Sequence, residues 1–194
     1  MCVPDGMPMV WVGRLYGHRQ MRRVYGPDLM LEICRRSVAS GLTHYFYGGR
    51  SGVPEKLRQR LTARFPGLRV VGVRSPPFRQ LTEQEESEFA EEMERAAPDI
   101  LWVGLGTPKQ EQWMAAHVDK LVAKVSIGVG AAFDMHAGLL PQAPRWMQVC
   151  GLEWLFRLWV EPRRLWRRYL FNNPRFIIMI LGQLLRIRSY PSRE

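Results

Sequence analysis

The 194-residue sequence predicts an α/β fold, a mostly parallel sheet with flanking helices followed by a basic, aromatic-rich helical C-terminal appendage. Three observations carry this. A strand-like apolar run, a glycine turn and a helical segment recur four times between Thr43 and Asp134. The glycines follow the runs, where an open parallel sheet gathers its binding groups at the carboxyl ends of strands. Beyond Gly138 the alternation stops, and Pro141 and Pro144 lead into sequence dense in Trp and Arg. The expected organisation is a Rossmann-like domain over residues 1–145 and an appendage over 146–194.

Taken in order, Pro4-Asp5-Gly6 is a turn that runs at once into apolar sequence, as if a preceding segment were missing. Met9 to Tyr16 reads as a short helix. Gly26-Pro27-Asp28 starts a second, to about Ala39, with Leu29, Ile33 and Val38 in its buried stripe and Gly41 at its end. Thr43 to Tyr47 is rich in strand formers and gives way to Gly48-Gly49-Arg50-Ser51-Gly52; the next helix starts at Val53-Pro54-Glu55 and carries Leu57 and Leu61 one turn apart. Leu68 to Val73 is the following strand and leaves through Ser75-Pro76-Pro77-Phe78. Thr82 and Glu85 match a capping box at the head of an acidic helix that runs to about Ala96.

Ile100 to Trp113, ILWVGLGTPKQEQW, organises the rest: a buried strand, two glycines, a Thr-Pro pair and a polar helix start, with the helix read as Pro108 to Val118. Gly104 and Gly106 admit close approach of a ligand to backbone N–H groups, and Lys109, Gln110 and Glu111 face the same opening, so phosphate is the natural guest. Ala123 to Val129 is a last strand, ending in Gly128-Val-Gly130-Ala-Ala-Phe133-Asp134, where Asp134 is a candidate cap for the next helix.

Charge divides the remaining possibilities. The net charge of +10 excludes basic partners and leaves nucleic acid, anionic membrane or phosphorylated substrates. The excess sits in the tail: Gly151 to Glu194 holds nine Arg and three Glu, whereas Thr82 to Ala97 holds seven Glu and one Arg. On a helix, Arg163, Arg164, Arg167 and Arg168 share one side, with Leu165, Trp166, Tyr169 and Leu170 around the other. Such a helix suits a headgroup layer, and a further apolar helix from Phe176 to Leu185 dips beside it. The longest apolar run, Phe176 to Leu181, is too short to span a bilayer. Cys2, Cys34 and Cys150 lack metal or redox spacing and read as reduced, small apolar residues. His44, His117 and His136 are scattered, so no metal site is expected.

Taken together, Asp5-Gly6, RVYGPDLM (Arg23 to Met30), YFYGG (Tyr45 to Gly49), SPPF (Ser75 to Phe78), GLGTPKQEQW (Gly104 to Trp113), GVGAAFDMHAG (Gly128 to Gly138) and GLEWLFRLWVEPRR (Gly151 to Arg164) resemble the WecG/TagA/CpsF family of bacterial glycosyltransferases. The resemblance implies transfer of a sugar, of N-acetylmannosamine type or a related hexose or uronic acid, from a UDP-sugar to a polyprenyl-diphosphate-linked acceptor in cell-surface polysaccharide synthesis. It implies Asp5 as general base, with Arg23 in the same pocket, and UDP-sugar contacts at Gly48, Gly49, Phe78, Gly106, Thr107, Pro108, Lys109, Gln110, Phe133 and Asp134. Arg157, Arg163, Arg164 and Arg167 correspond to an appendage that meets the membrane and the acceptor diphosphate. A peripheral place on the inner face of the plasma membrane and a homo-oligomer are implied as well. The family has a further segment ahead of the Asp5-Gly6 turn, which leaves a truncated, non-catalytic form as the alternative.

The chemistry is compatible with this. Glycosyl transfer needs a base for the acceptor hydroxyl and positive charge on the leaving UDP. No D-x-D pair occurs, so metal-independent, inverting transfer is expected, with no cofactor and with Arg23, Lys109 and turn N–H groups holding the diphosphate. A nucleotide-binding oxidoreductase is disfavoured because a full G-x-G-x-x-G with its acidic partner is missing. A nucleic-acid partner is disfavoured by the acidic Thr82 to Ala97 helix.

Overall fold

A computed structural model describes residues 3–118 and 120–185. In chain order its elements are α1 (Met7–Leu15), α2 (Gly26–Ser40), β1 (Thr43–Gly48), α3 (Val53–Arg64), β2 (Arg69–Arg74), α4 (Glu83–Ala96), β3 (Ile100–Gly104), α5 (Lys109–His117), β4 (Val125–Gly128), α6 (Ala132–His136), α7 (Arg145–Val149), α8 (Glu153–Val160) and α9 (Pro162–Leu184). They fall into two compact units: a sheet unit, Val24–Pro141, and a helical unit that joins Met1–Arg23 to Gln142–Glu194. Cys2 and the tail arginines Arg186, Arg188 and Arg193 lie outside the described residues.

The sheet unit is the expected α/β architecture. Its four strands are all parallel in the order β2-β1-β3-β4. Alternate residues of the two central strands face opposite sides. Phe46 and Trp102 meet Met30 and Cys34 of α2, Leu57 and Leu61 of α3 and Phe133 of α6. Tyr45, Tyr47, Leu101 and Val103 meet Phe89 and Met93 of α4 and, further out, Trp113 of α5. Tyr47 stacks on Trp113 at 4.4 Å and Trp113 on His117 at 4.3 Å, which closes that side with aromatic rings. β2 and β4 are the edges, and both are partly exposed.

Local signals set several elements as the sequence predicts. At α4 the Thr82 hydroxyl accepts from the Glu85 N–H and the Glu85 carboxylate from the Thr82 N–H, the reciprocal capping box. Asp99, just before β3, accepts from the Thr43 N–H and hydroxyl at 2.7 and 2.9 Å and pairs with Lys124 at 2.6 Å, so the amino ends of β1, β3 and β4 are tied by one carboxylate.

Four expectations need correction. The fully buried face of α2 is Met30, Cys34 and Ser37; of the expected stripe Ile33 packs partly buried against the core, Leu29 is half-buried and Val38 is exposed. Pro108 caps α5 and does not enter it, and its bond to Thr107 is cis. Asp134 lies within α6, whose cap position is Ala131. The basic and apolar tail helices are one, because α9 runs through Pro174 without a break, although proline withholds one helical N–H. The cysteines divide: Cys34 is buried, its thiol pushed up to about 12 by that burial, and Cys150 is exposed.

His44 gives the sheet unit a pH dependence. It has no exposed surface, its Nδ1 accepts from the Trp102 indole at 2.9 Å, and burial lowers its pKa from 6.5 to about 4 against a smaller opposing pull from Asp99. The unfolded chain therefore takes up a proton at His44 near pH 6.5, and the folded chain does so only near 4. The stabilisation is complete above pH 6.5 and is lost as pH falls through this window, by on the order of 3 kcal/mol. Urea unfolding at pH 7 and 4.5 should show that loss in the wild type and a smaller one in His44→Gln; equal losses would remove His44 from the account.

Candidate active site

The topology selects the place. β1 leads through α3 to β2 on one side, and β3 leads through α5 to β4 on the other. The chain thus diverges between β1 and β3, and in open α/β sheets ligands bind outside the carboxyl ends of strands at that switch point. Gly48 and Gly104 are register partners there, and the Gly49 N–H donates to the Gly104 carbonyl at 3.0 Å. Gly48 has φ +129°, and a Cβ on it would lie 2.6 Å from the Gly104 carbonyl carbon, so two main chains meet where any side chain would separate them.

Beside this pair the turns after β3 and β4 close in. The Gln110 N–H donates to the Gly106 carbonyl at 3.0 Å; a Cβ on Gly128 would meet the Gln110 amide nitrogen at 3.0 Å, and one on Gly130 its amide oxygen at 3.5 Å. The strand-end turns at Gly106 and Gly130 therefore gather around one side chain, with the Gly48–Gly104 contact at the neighbouring strand ends. Gln110 is only 7% exposed; its amide donates to the Glu111 carboxylate at 3.0 Å, and Glu111 also accepts from the Thr107 hydroxyl at 3.0 Å. The Gln110 carbonyl oxygen is buried and accepts no hydrogen bond from any described residue. A buried acceptor left unmade costs about 1–3 kcal/mol, which a ligand donor would recover.

Thr107, Pro108 and Lys109 are exposed around this point. Phe133 has no exposed surface: its ring lies under Gly104 and edge-on to Phe46, so it supports the floor of the site from the core. Asp134 is partly exposed, 3.9 Å from the Arg50 guanidinium. Phe78 is 81% exposed on the loop after β2, which is tied to the β1 turn by the Ser75 hydroxyl donating to the Arg50 carbonyl.

Asp5 and Arg23 belong to the helical unit. Asp5 directly precedes Gly6, the cap of α1. The Arg23 Nε donates to the Asp5 backbone carbonyl, and its Nη2 lies 3.8 Å from the Asp5 carboxylate and 2.5 Å from that of Glu153 at the start of α8. Arg23 and Glu153 are largely buried and the Asp5 side chain is mostly exposed. The expected neighbourhood of Asp5 and Arg23 is thus present, with Glu153 as a third member. Sequence reading missed Glu153 because it lies 130 positions from Arg23, and only its place inside the GLEWLF stretch marked it.

Arg157 lies in the last turn of α8, and Arg163, Arg164 and Arg167 are exposed on α9. Arg164 pairs with Glu161 at 2.7 Å, and the Arg167 guanidinium lies over the Trp166 ring. Leu165 is buried, but Trp159, Trp166, Leu170 and Phe171 are exposed, so arginines and bare apolar rings share this surface. Among the described residues no helix is long and apolar enough to cross a membrane, and no three His, Cys, Asp or Glu side chains are grouped as a metal ion would require.

Glycine turns gathered at the switch point of a parallel sheet place the sheet unit among α/β proteins that take their ligands at strand ends. The chain belongs to the glycosyl transferase WecG/TagA/CpsF family, whose profile matches residues 1–190. It is similar to the N-acetylglucosaminyldiphosphoundecaprenol N-acetyl-beta-D-mannosaminyltransferase of Bacillus subtilis (strain 168), 29% identical over 193 residues that cover 99% of this chain and 73% of the relative. The protein of the same name from Bacillus spizizenii (strain ATCC 23059 / NRRL B-14472 / W23) is 28% identical over 179 residues, 92% of this chain and 67% of the relative. The chain is accordingly a glycosyltransferase, which decides against the oxidoreductase reading.

Proposed function

We propose that the chain transfers an N-acetylmannosamine-type sugar from a UDP-sugar to a polyprenyl-diphosphate-linked acceptor in cell-surface polysaccharide synthesis, by a single inverting displacement that needs no metal ion. The observation that carries this is the buried, unpartnered Gln110 oxygen among the glycine turns at the β1/β3 switch point. In this reading it accepts a hydrogen bond from the donor, and Lys109 with the N–H groups of the turns balances the charge of the departing UDP. The bond between the anomeric carbon and the diphosphate oxygen breaks as the acceptor oxygen bonds to that carbon, and the acceptor hydroxyl proton passes to the Asp5 carboxylate. Arg23, braced by Glu153, holds the Asp5 backbone and shares its charge. The assignment of Asp5 rests on the family resemblance and on that brace.

The nature of the acceptor is taken from the names of the two relatives, and the absence of a D-x-D pair supports metal independence. The arginines of α8 and α9, with the exposed aromatic residues beside them, fit a lipid-borne acceptor diphosphate and an anionic membrane surface at the inner face of the plasma membrane.

Incubation of the chain with UDP-N-acetylmannosamine and a polyprenyl-diphosphate N-acetylglucosamine should give a disaccharide-lipid and an equal amount of UDP, with or without EDTA. Loss of activity in EDTA and its return with Mg²⁺ would contradict the metal-independent part. Gln110→Leu should weaken UDP-sugar binding by about tenfold, while fold stability falls by no more than the lost Gln110–Glu111 hydrogen bond, about 1–3 kcal/mol. A glutamine that served only the fold would show lower stability and unchanged binding.

A further inference from the structure

The last turn of α1 and the stretch after it contain a cationic feature that the transfer reaction does not use. Residues 6–27 hold no Asp or Glu, yet they include Arg14, Arg19, Arg22 and Arg23. Arg23 is engaged by Glu153 and Asp5. No carboxylate of the described residues pairs with the other three, which with Gln20 line an open cavity of about 680 Å³ within the helical unit. The backbone shapes this segment tightly: Gly17 N–H donates to the Arg14 carbonyl, His18 N–H to Gly13, Arg19 N–H to Gly17 and Met21 N–H to His18, all within 2.9–3.1 Å. The Arg14 Nε donates to the Met21 carbonyl at 3.1 Å, which fixes one edge of its guanidinium and leaves the terminal N–H groups for another acceptor.

Three guanidinium groups around one cavity repel each other in the absence of a counter-charge. Arginine forks match the oxygens of phosphate in pairs and at short range, and a lining of three arginines and a glutamine suits a polar anion. Leu15 and Tyr16, which follow Arg14 at the end of α1, are 69% and 45% exposed, so apolar side chains are bare in the same short segment as the arginines. That combination suits a phosphate carried at the water–lipid boundary.

We infer that Arg14, Arg19 and Arg22 form a phosphate-binding site whose ligand is the phosphate group of a lipid. The inference rests on neither the sugar donor nor the acceptor proposed above. Two probes test it on the full chain: inorganic pyrophosphate, by titration calorimetry, and vesicles of phosphatidylglycerol and phosphatidylcholine, by co-sedimentation. The combined Arg14→Gln, Arg19→Gln, Arg22→Gln variant is compared with a Lys56→Gln, Arg58→Gln, Arg95→Gln control, which removes the same charge from exposed positions of the sheet unit. Both sets are exposed, and circular dichroism confirms that each variant is folded.

The expected result is a fall of about tenfold or more in vesicle affinity for the arginine variant and a change below about twofold for the control. Loss of vesicle binding, with or without loss of pyrophosphate binding, supports the site and its lipid source. Loss of pyrophosphate binding alone supports a phosphate site but assigns it a soluble ligand. Equal losses in the two variants, or no loss in the arginine variant for either probe, overturn the inference.

Discussion

Replacing Asp5 with Asn is expected to lower turnover by about 10²–10⁴-fold while leaving UDP-sugar affinity unchanged. Asn keeps the backbone carbonyl that Arg23 holds and leaves the Arg23–Glu153 pair in place, so the substitution removes the proton acceptor and little else. Single-turnover release of UDP in the presence of acceptor measures it directly. Glu153→Gln should behave differently. It loosens the brace on Arg23 and lets Asp5 move, so kcat should fall less than in Asp5→Asn, and the remaining activity should keep its dependence on Asp5. Unchanged turnover in Asp5→Asn would take this carboxylate out of the reaction.

Gly48→Ala is expected to be the most damaging single change to the sheet unit. At φ +129° a side chain is strained wherever it points, and here its Cβ would be 2.6 Å from the Gly104 carbonyl carbon, a main-chain atom that cannot turn aside. Backbone strain and overpacking together amount to about 3–5 kcal/mol, a large part of the stability of a typical domain. Gly41→Ala is the control: φ is +69° but nothing lies within 4 Å of its Cβ, so only the left-handed conformation costs, about 1–2 kcal/mol. Urea midpoints should separate the two clearly. Equal shifts would mean that the close approach of β1 and β3 at the switch point is not real.

Much of the sheet unit is legible in the sequence because its signals are local. Apolar runs that end in glycine, a Thr82/Glu85 cap and Pro or Gly at helix starts each act within a few residues, and the order of strands and helices follows from them. What depended on tertiary packing was read less well. The α2 stripe is only partly legible because both its faces carry apolar side chains, and contact with Phe46 and Trp102 selects Met30 and Cys34 for full burial and leaves Ile33 at the margin. The basic and apolar tail segments read as two helices where α9 is one. In the site, the glycines and Gln110 stood out in the sequence, but the burial of the Gln110 oxygen and the support of Gly104 by Phe133 arise from β4 and α6 folding back beside β3. Glu153 was out of reach because an ion pair across 130 positions leaves no periodic trace.

The central claim is that the strand-end turns of the sheet unit hold the sugar nucleotide. A crystal structure of the chain with UDP tests it most directly. The nucleotide should lie at the carboxyl ends of β1 and β3, in contact with the turns at Gly106 and Gly130 and with a donor atom facing the Gln110 oxygen. UDP bound at any other place, with those turns empty, would contradict the account.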